Sequence, residues 1–323
     1  MKLARVLLLL GVATIAAAQP GVLRPIVPGF WFREGVGGCN NIVIEMKDYL
    51  VVVDANYPGQ ALALLEDLKK VSSKPIKYVI DTHADPDHSY GNPIFTRRGA
   101  ITIGYVGMLQ DIKRFEPKAW NHSVHARKDV AALNVSGPEP PKQTYSKSPY
   151  RISDGTRTIE LYHFTYGHTR ADTFVYLPHE KILCTGDAVV NGPFSDPKHS
   201  YMGNWANEVH DAQKLDVKYV LPGHGTEGGK ELLDGQIQFF HALYSAVQGA
   251  IQEGKTLDQI VTMKNGEPAA TTIRLPEKIM DVYVFHPRND LLPWQFQRFP
   301  TQVRNTYEEI KQGKPWGVIA DGE

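Results

Sequence analysis

Apolar positions along the chain switch between two periods. The short runs Ile42-Val43-Ile44 and Leu50-Val51-Val52-Val53, split by a polar Lys47-Asp48 turn, predict two consecutive strands. From Pro58 the period lengthens. Ala61, Leu62, Leu65 and Leu68 recur at helical spacing, and Lys69-Lys70 close the last turn where cations suit the helix dipole. Strands are predicted again at 76–80 and 100–105, and a helix at 108–115. Periodicity then fades between 116 and 150 into a stretch with Pro and Lys that reads as a loop or small insertion. Four more strands follow at 158–164, 173–177, 182–185 and 219–221, then a long helical pattern at 232–251. The tail beyond Gly254 is mixed, with a helix predicted over 301–311. Strands alternating with helices predict an α/β layered architecture.

The first segment has a pattern of its own. Lys2 and Arg5 precede an almost wholly apolar run, Val6 to Ala18, that ends in Ala16-Ala17-Ala18 before Gln19-Pro20. A basic start, a short apolar stretch and small residues at its end are the features of a secretory signal peptide, with cleavage expected after Ala18. The run falls short of the ~20 residues that span a bilayer as a helix, so no stable membrane span is expected. A periplasmic or secreted protein is expected. Its organisation would be a signal peptide at 1–18, a catalytic domain at 19–255 and a partly helical extension at 256–323 packed on the same domain.

Composition narrows the class. The 323 residues hold 35 Lys+Arg against 35 Asp+Glu, which argues against a nucleic-acid partner needing a basic face. Loss of Lys2 and Arg5 with the signal peptide leaves a slight acidic excess. Two cysteines cannot build a disulfide scaffold or a Cys-rich zinc site. Cys39 and Cys184 fall in strand-like segments and read as separate buried thiols, although export would permit a disulfide. No motif specifies an oligomeric state. The 12 histidines are the conspicuous supply of chemistry.

That supply is concentrated. His83-Ala84-Asp85-Pro86-Asp87-His88 places four potential metal ligands directly after a predicted strand, where a tight loop can aim several side chains at one point. Gly167-His168-Thr169, Thr185-Gly186-Asp187 and Pro222-Gly223-His224-Gly225 repeat one local form, a ligand-type residue at a strand end beside glycine. Any one of these is weak evidence. Together they supply four His and up to three Asp, the complement of a two-metal site, and imidazole with carboxylate suits Zn, Fe or Mn.

In this order the motifs resemble the metallo-β-lactamase-fold superfamily, whose signature is His-x-His-x-Asp-His followed by Gly-His, Gly-Asp and a late Gly-His. The resemblance runs from about Gly37 to Gly225 and implies an αββα sandwich of two mixed β-sheets flanked by helices. It implies a metallohydrolase with two divalent metal ions, zinc in the first instance, and a small-molecule substrate. His83 and His168 fall on ligands of the first metal, and Asp87, His88 and His224 on ligands of the second. Asp187 falls on the bridging carboxylate of the glyoxalase II-like members, and Asp54 on an acid that steadies the metal-binding loop from behind. Asp87 would also orient the attacking metal-bound hydroxide. An acyl substrate (ester, thioester, lactone or lactam) is the expectation that goes with an Asp at position 187.

Asp85 departs from the signature, which has its second histidine there. If Asp85 ligates, the added negative charge weakens the metals as Lewis acids and raises the pKa of bound water above the ~7 of His-rich zinc sites. A carboxylate at this place also admits Fe or Mn. If Asp85 does not reach, His83, His168 and Asp187 remain, a two-histidine, one-carboxylate face of the kind non-haem iron uses. The alternatives to hydrolysis are therefore a mononuclear iron dioxygenase acting on a thiol or persulfide, and a catalytically impaired metal-binding member.

Overall fold

A computed structural model describes residues 21–191, 195–280 and 292–322; the expected signal peptide lies outside the described residues. The first sheet contains β1 (Leu23–Val27), β2 (Phe30–Arg33), β3 (Asn41–Glu45), β4 (Leu50–Val53), β5 (Ile76–Ile80), β6 (Ile101–Tyr105) and β7 (Gln143–Tyr145), in that spatial order. Pairing is antiparallel from β1 to β4 and parallel from β4 to β7. Parallel neighbours need a crossover. Here α1 (Pro58–Leu68) joins β4 to β5, and α2 (Pro86–Ser89) with α3 (Asn92–Thr96) joins β5 to β6. The last crossover is α4 (Met108–Ala126) with α5 (Lys128–Ala131).

The second sheet has β8 (Tyr150–Ser153), β9 (Thr158–Tyr162), β10 (Phe174–Leu177) and β11 (Ile182–Gly186) in an antiparallel run. Beyond β11 and parallel to it lies β12 (Tyr219–Pro222), reached through α6 (Met202–Gln213). The chain continues into α7 (Lys230–Gln252), α8 (Leu257–Ile260) and a hairpin of β13 (Val261–Lys264) with β14 (Glu267–Thr271). It then forms α9 (Glu277–Met280), α10 (Leu292–Gln312) and α11 (Trp316–Ile319).

Alternation along each strand sets four layers. Val51 and Val53 of β4 face Val175, Leu177 and Ile182 of the other sheet, while Leu50 and Val52 face outward onto Ala61, Leu64 and Leu68 of α1. In β10, Phe174 and Tyr176 turn outward instead and pack with Trp205, Phe239 and Phe240 of α6 and α7. Strands covered on both faces read as unbroken apolar runs. This is the expected αββα sandwich of two mixed sheets. The third cluster extends into the tail, since Ile260, Ile273, Phe299, Val303 and Tyr307 pack on the same outer layer.

Three sequence expectations change. The 116–150 stretch is not loop throughout: α4 runs past Pro117 to Ala126, and β7 closes the sheet edge. Periodicity failed there because the inward positions of α4 include the acids Asp111 and Glu116, which are buried against Arg170 and Tyr90. Cys39 lies just before β3, not within a strand, although it and Cys184 are both free, buried thiols as expected. The tail helix is longer than 301–311, spanning Leu292–Gln312. No helix among the described residues is long and apolar enough to cross a membrane.

Candidate metal centre

Four strands of the sandwich deliver residues of the site from their C-terminal ends. Asp54 follows β4, the His83–His88 segment follows β5, Asp187 follows β11 and His224 follows β12. His168 enters from the loop before β10. In α/β proteins this crevice beyond the carboxyl ends of strands is where chemistry collects. The one-turn helix α2 starts with Pro86 at N1 after Asp85 at its N-cap, which sets Asp87 and His88 on consecutive positions of a fixed turn. The His88 carbonyl accepts the amides of Ala55 and Asn56, tying that turn to the end of β4.

Three imidazoles are held from behind through Nδ1. His88 Nδ1 donates to Asp54 Oδ2 at 2.9 Å, His168 Nδ1 to Asp172 Oδ1 at 3.1 Å, and His83 Nδ1 to Thr82 Oγ1 at 3.0 Å. Thr82 Oγ1 in turn donates to Asp54, whose Oδ1 also accepts the Thr82 amide at 2.8 Å. Such outer partners fix which nitrogen faces inward. Asp54 manages this from a backbone φ of 62°, in the left-handed region that Asp tolerates better than most residues. Replacing Asp54 by alanine should lower metal affinity by about 10–100-fold, the usual cost of losing such a partner. Competition with a chromogenic chelator measures it, and unchanged affinity would remove Asp54 from this role.

The inward atoms converge without bonding to one another. His88 Nε2 lies 3.3 Å from Asp187 Oδ1, and His224 Nε2 lies 3.4 Å from Asp187 Oδ2 and 3.2 Å from Asp87 Oδ2. His83 Nε2, His88 Nε2 and Asp187 Oδ1 are buried with no hydrogen-bond partner. Ligands about 2.1 Å from a common cation stand about 3–3.5 Å apart. These residues therefore fit divalent metal ions. Ligand-type atoms of Asp87, His88 and His224 fall within 4.8 Å of one another, as do those of His83, His88 and Asp187. Asp85 belongs to neither group and approaches His83 Nε2 alone, at 3.8 Å, as its short side chain leads one to expect.

Electrostatics agree with a cation site. Burial alone would lower His168 and His224, but Asp172 and Asp187 raise each to about 9. Burial alone would raise Asp87, yet His88 and His224 hold it at about 2. A field that draws a proton onto imidazole also draws a cation, and the two compete for one lone pair. Cys39 sits on the Nδ1 side of His88 with Asp54, but burial pushes its thiol up to about 12, so it is a neutral neighbour.

The loop after β12 leaves no room for side chains at two glycines. A Cβ on Gly223 would stand 2.1 Å from Asp187 Oδ1, and one on Gly225, where φ is +84°, would stand 1.6 Å from the Asn191 carbonyl oxygen. Asn40 Nδ2 donates to the carbonyls of Pro222 and Gly225 and holds His224 between them.

The match to the family model for the metallo-beta-lactamase superfamily covers residues 35–224, from the loop before β3 to His224. The chain belongs to the metallo-beta-lactamase superfamily. Among its relatives is the type 2 metallo-beta-lactamase of Bacillus cereus, 26% identical over 211 residues, or 64% of this chain and 73% of that protein. The FIM-1 metallo-beta-lactamase of Pseudomonas aeruginosa, solved in a mono-zinc form, superposes with a TM-score of 0.52 at 21% identity, covering 69% of this chain and 98% of that one. The sec-alkylsulfatase Pisa1 from Pseudomonas reaches a TM-score of 0.66 at 16% identity over 94% of this chain and 52% of its own. The superfamily fold thus accounts for the sandwich, and the Pisa1 likeness in fold extends over the C-terminal elements as well.

Of the residues singled out in the sequence, His83, Asp87, His88, His168, Asp187 and His224 gather at this centre of the superfamily fold, Asp54 stands behind His88, and Asp85 lies at the margin. Sequence reading missed Thr82 and Asp172; the second had a legible signal, an acid four residues after His168. His163, expected within a sheet, lies just past β9 and stacks on Tyr105 at 3.8 Å. Trp205 is fully buried beneath His168 and stacks on Phe240 at 4.4 Å. His122 and His125 lie on the exposed side of α4, whereas Trp120 is buried against Tyr90. A cavity of about 550 Å³ opens over Asp85, Asp87, Asp187 and His224, with Tyr57, Arg127, Asp196, Lys198 and Arg298 on its walls. That volume suits a small molecule.

Proposed function

We propose that this metallohydrolase is an exported two-metal acyl hydrolase in which Asp187 bridges the metals, as in the glyoxalase II-like members. The observation that carries the reading is the Asp187 carboxylate, which turns one oxygen to His88 and the other to His224 while Oδ1 is left buried and unpaired. His83, His168 and Asp187, with Asp85 at the margin, would hold the first ion; Asp87, His88, His224 and Asp187 would hold the second. Two divalent cations, zinc in the first instance and iron or manganese as alternatives, would supply Lewis acidity and an activated water at neutral pH.

The chain's own residues supply the rest. Asp87 is ionised and faces the cavity, where it can accept a proton from the attacking water and orient it. Asp54 and Asp172 keep Nδ1 of His88 and His168 occupied, so these rings present Nε2 throughout a cycle. The mononuclear iron reading uses His83, His168 and Asp187 and gives no role to Asp87, His88 and His224, whose ligand-type atoms also converge within 4.8 Å of one another.

Metal analysis of the purified protein, coupled to a panel of ester, thioester, lactone and β-lactam substrates, tests the proposal. Two equivalents of metal and turnover of at least one acyl class are expected. One equivalent or less with no turnover overturns it. An Asp85→His substitution should raise occupancy of the first position. N-terminal sequencing of the exported protein should begin at Gln19.

A further inference from the structure

Between β4 and α1 the chain turns sharply. Asp54 and Asn56 both stand in the left-handed region, at φ of 62° and 60°, where few side chains settle without compensation. Asn56 has that compensation. Its amide donates to the His88 carbonyl, its carbonyl accepts the Gly91 amide at 2.6 Å, and its Nδ2 donates to the Cys39 carbonyl at 2.6 Å. Its Oδ1 accepts the amide of Tyr57 at 2.7 Å. The turn is thereby tied to the segment that carries Asp87 and His88, and it delivers Tyr57 to the cavity wall. Pro58 follows at N1 and fixes the start of α1.

The Tyr57 ring is clamped from several sides. Arg127 lies over it at 3.6 Å, Tyr90 meets it edge-on at 6.4 Å, and a Cβ on Gly38 would stand 3.3 Å from its Cδ2. Its hydroxyl makes no hydrogen bond among the described residues. Burial raises the phenol above its ordinary range, and Asp87 is the charge that adds most to the rise, which sets the hydroxyl toward Asp87. It is a neutral donor, held in place with nothing to donate to. Outside the ligand-type residues, Asn40 is the other neutral side-chain donor on the described wall, and it gives both N–H groups to the carbonyls of Pro222 and Gly225. The cations Arg127, Lys198 and Arg298 each face a carboxylate, Asp129 or Asp196. Acyl hydrolysis builds negative charge first on the carbonyl oxygen and then on the leaving atom. Bound divalent ions would offset it at the carbonyl, and the leaving atom calls for a donor of its own.

Resting on the acyl-hydrolase reading, we infer that Tyr57 is a catalytic residue whose hydroxyl donates a hydrogen bond to the leaving atom of the substrate as the acyl bond breaks. In that step the water oxygen bonds to the acyl carbon, and the bond from carbon to the leaving atom breaks with its electron pair staying on that atom. The proton released by the water passes through Asp87 to the leaving atom, and Tyr57 keeps its own proton throughout. A donor already fixed in position costs no reorganisation at the moment of reaction.

Tyr57→Phe in the metal-loaded full chain tests this, because phenylalanine keeps the ring beneath Arg127 and removes only the hydroxyl. Two measurements are made. The first is kcat/KM for acetate esters of increasingly poor leaving groups. The loss in the variant should grow along the series, from about threefold for 4-nitrophenyl acetate to at least thirtyfold for 2,2,2-trifluoroethyl acetate, a poor leaving group needing the donor more. The second is isothermal titration with ethyl methylphosphonate, which carries an oxygen at the leaving position, and with dimethylphosphinate, which does not. Tyr57→Phe should bind the first about tenfold more weakly than the wild type and the second equally well. A loss of the same size for every ester, or no change in affinity for the phosphonate, overturns the assignment and leaves acyl hydrolysis standing. Hydrolysis of no ester, with the phosphonate contrast present, does the reverse. A fall in metal content in Tyr57→Phe would make Tyr57 a support of the Asp87–His88 turn and also overturns the inference.

Discussion

Replacing Asp187 by asparagine is expected to lower kcat/KM by about 10³-fold or more, a loss of about 4 kcal/mol of transition-state stabilisation. The side chain is buried, and its two oxygens sit 3.3 and 3.4 Å from the Nε2 atoms of His88 and His224. Asparagine keeps the shape but replaces one oxygen by an NH2 group that cannot ligate, and it removes the charge that offsets two cations. Metal content should fall from two equivalents toward one while the fold persists, because Asp187 contributes no packing that asparagine lacks. Gly223→Ala should mimic the loss without replacing a ligand, since the new Cβ would stand 2.1 Å from Asp187 Oδ1 and push it aside. Metal content by mass spectrometry and initial rates check both variants. Wild-type occupancy and rate in Asp187→Asn would sink the bridging role.

Removing the metals altogether should also loosen the whole sandwich. A ligand that binds only the native state stabilises it by about 4 kcal/mol at a thousandfold excess over its Kd. At about 2–4 °C per kcal/mol for a chain of this order, chelation should lower Tm by roughly 10 °C. The cause is local. Without cations, His83 Nε2, His88 Nε2 and Asp187 Oδ1 are buried polar atoms with no partner, and Asp87 and Asp187 face each other across His224. Scanning calorimetry before and after exhaustive chelation measures the shift, and readdition of zinc should reverse it. An unchanged Tm would favour the catalytically impaired alternative.

The layers and the ligands were legible in the sequence for different reasons. Doubly buried strands such as Leu50–Val53 must be apolar at every position, so they stand out without any knowledge of their neighbours. Ligands carried on strand-end loops are marked by their residue type and flanking glycines. The hidden elements failed the same test. Helix α4 buries Asp111 and Glu116 among its inward positions, and their partners Arg170 and Tyr90 come from other parts of the chain. Strand β1 was obscured by Pro25, which an edge strand tolerates, and the short β2 by Pro28 in the turn that precedes it.

By itself, then, the sequence determined a layered α/β architecture, which the family resemblance narrowed to an αββα sandwich, and the identity of the ligand-type residues, because strand–helix alternation and residue type are written in local pattern. Only the tertiary structure decided which ring nitrogen each histidine presents, that Asp85 stands back from the converging groups, and that Tyr57 lines the cavity with Asp87. Those facts depend on contacts between residues far apart in the chain, such as Asp54 with His88, Asp187 with His224 and Tyr57 with Arg127. A chain's local pattern records what each residue can do, and only folding sets the distances at which they do it.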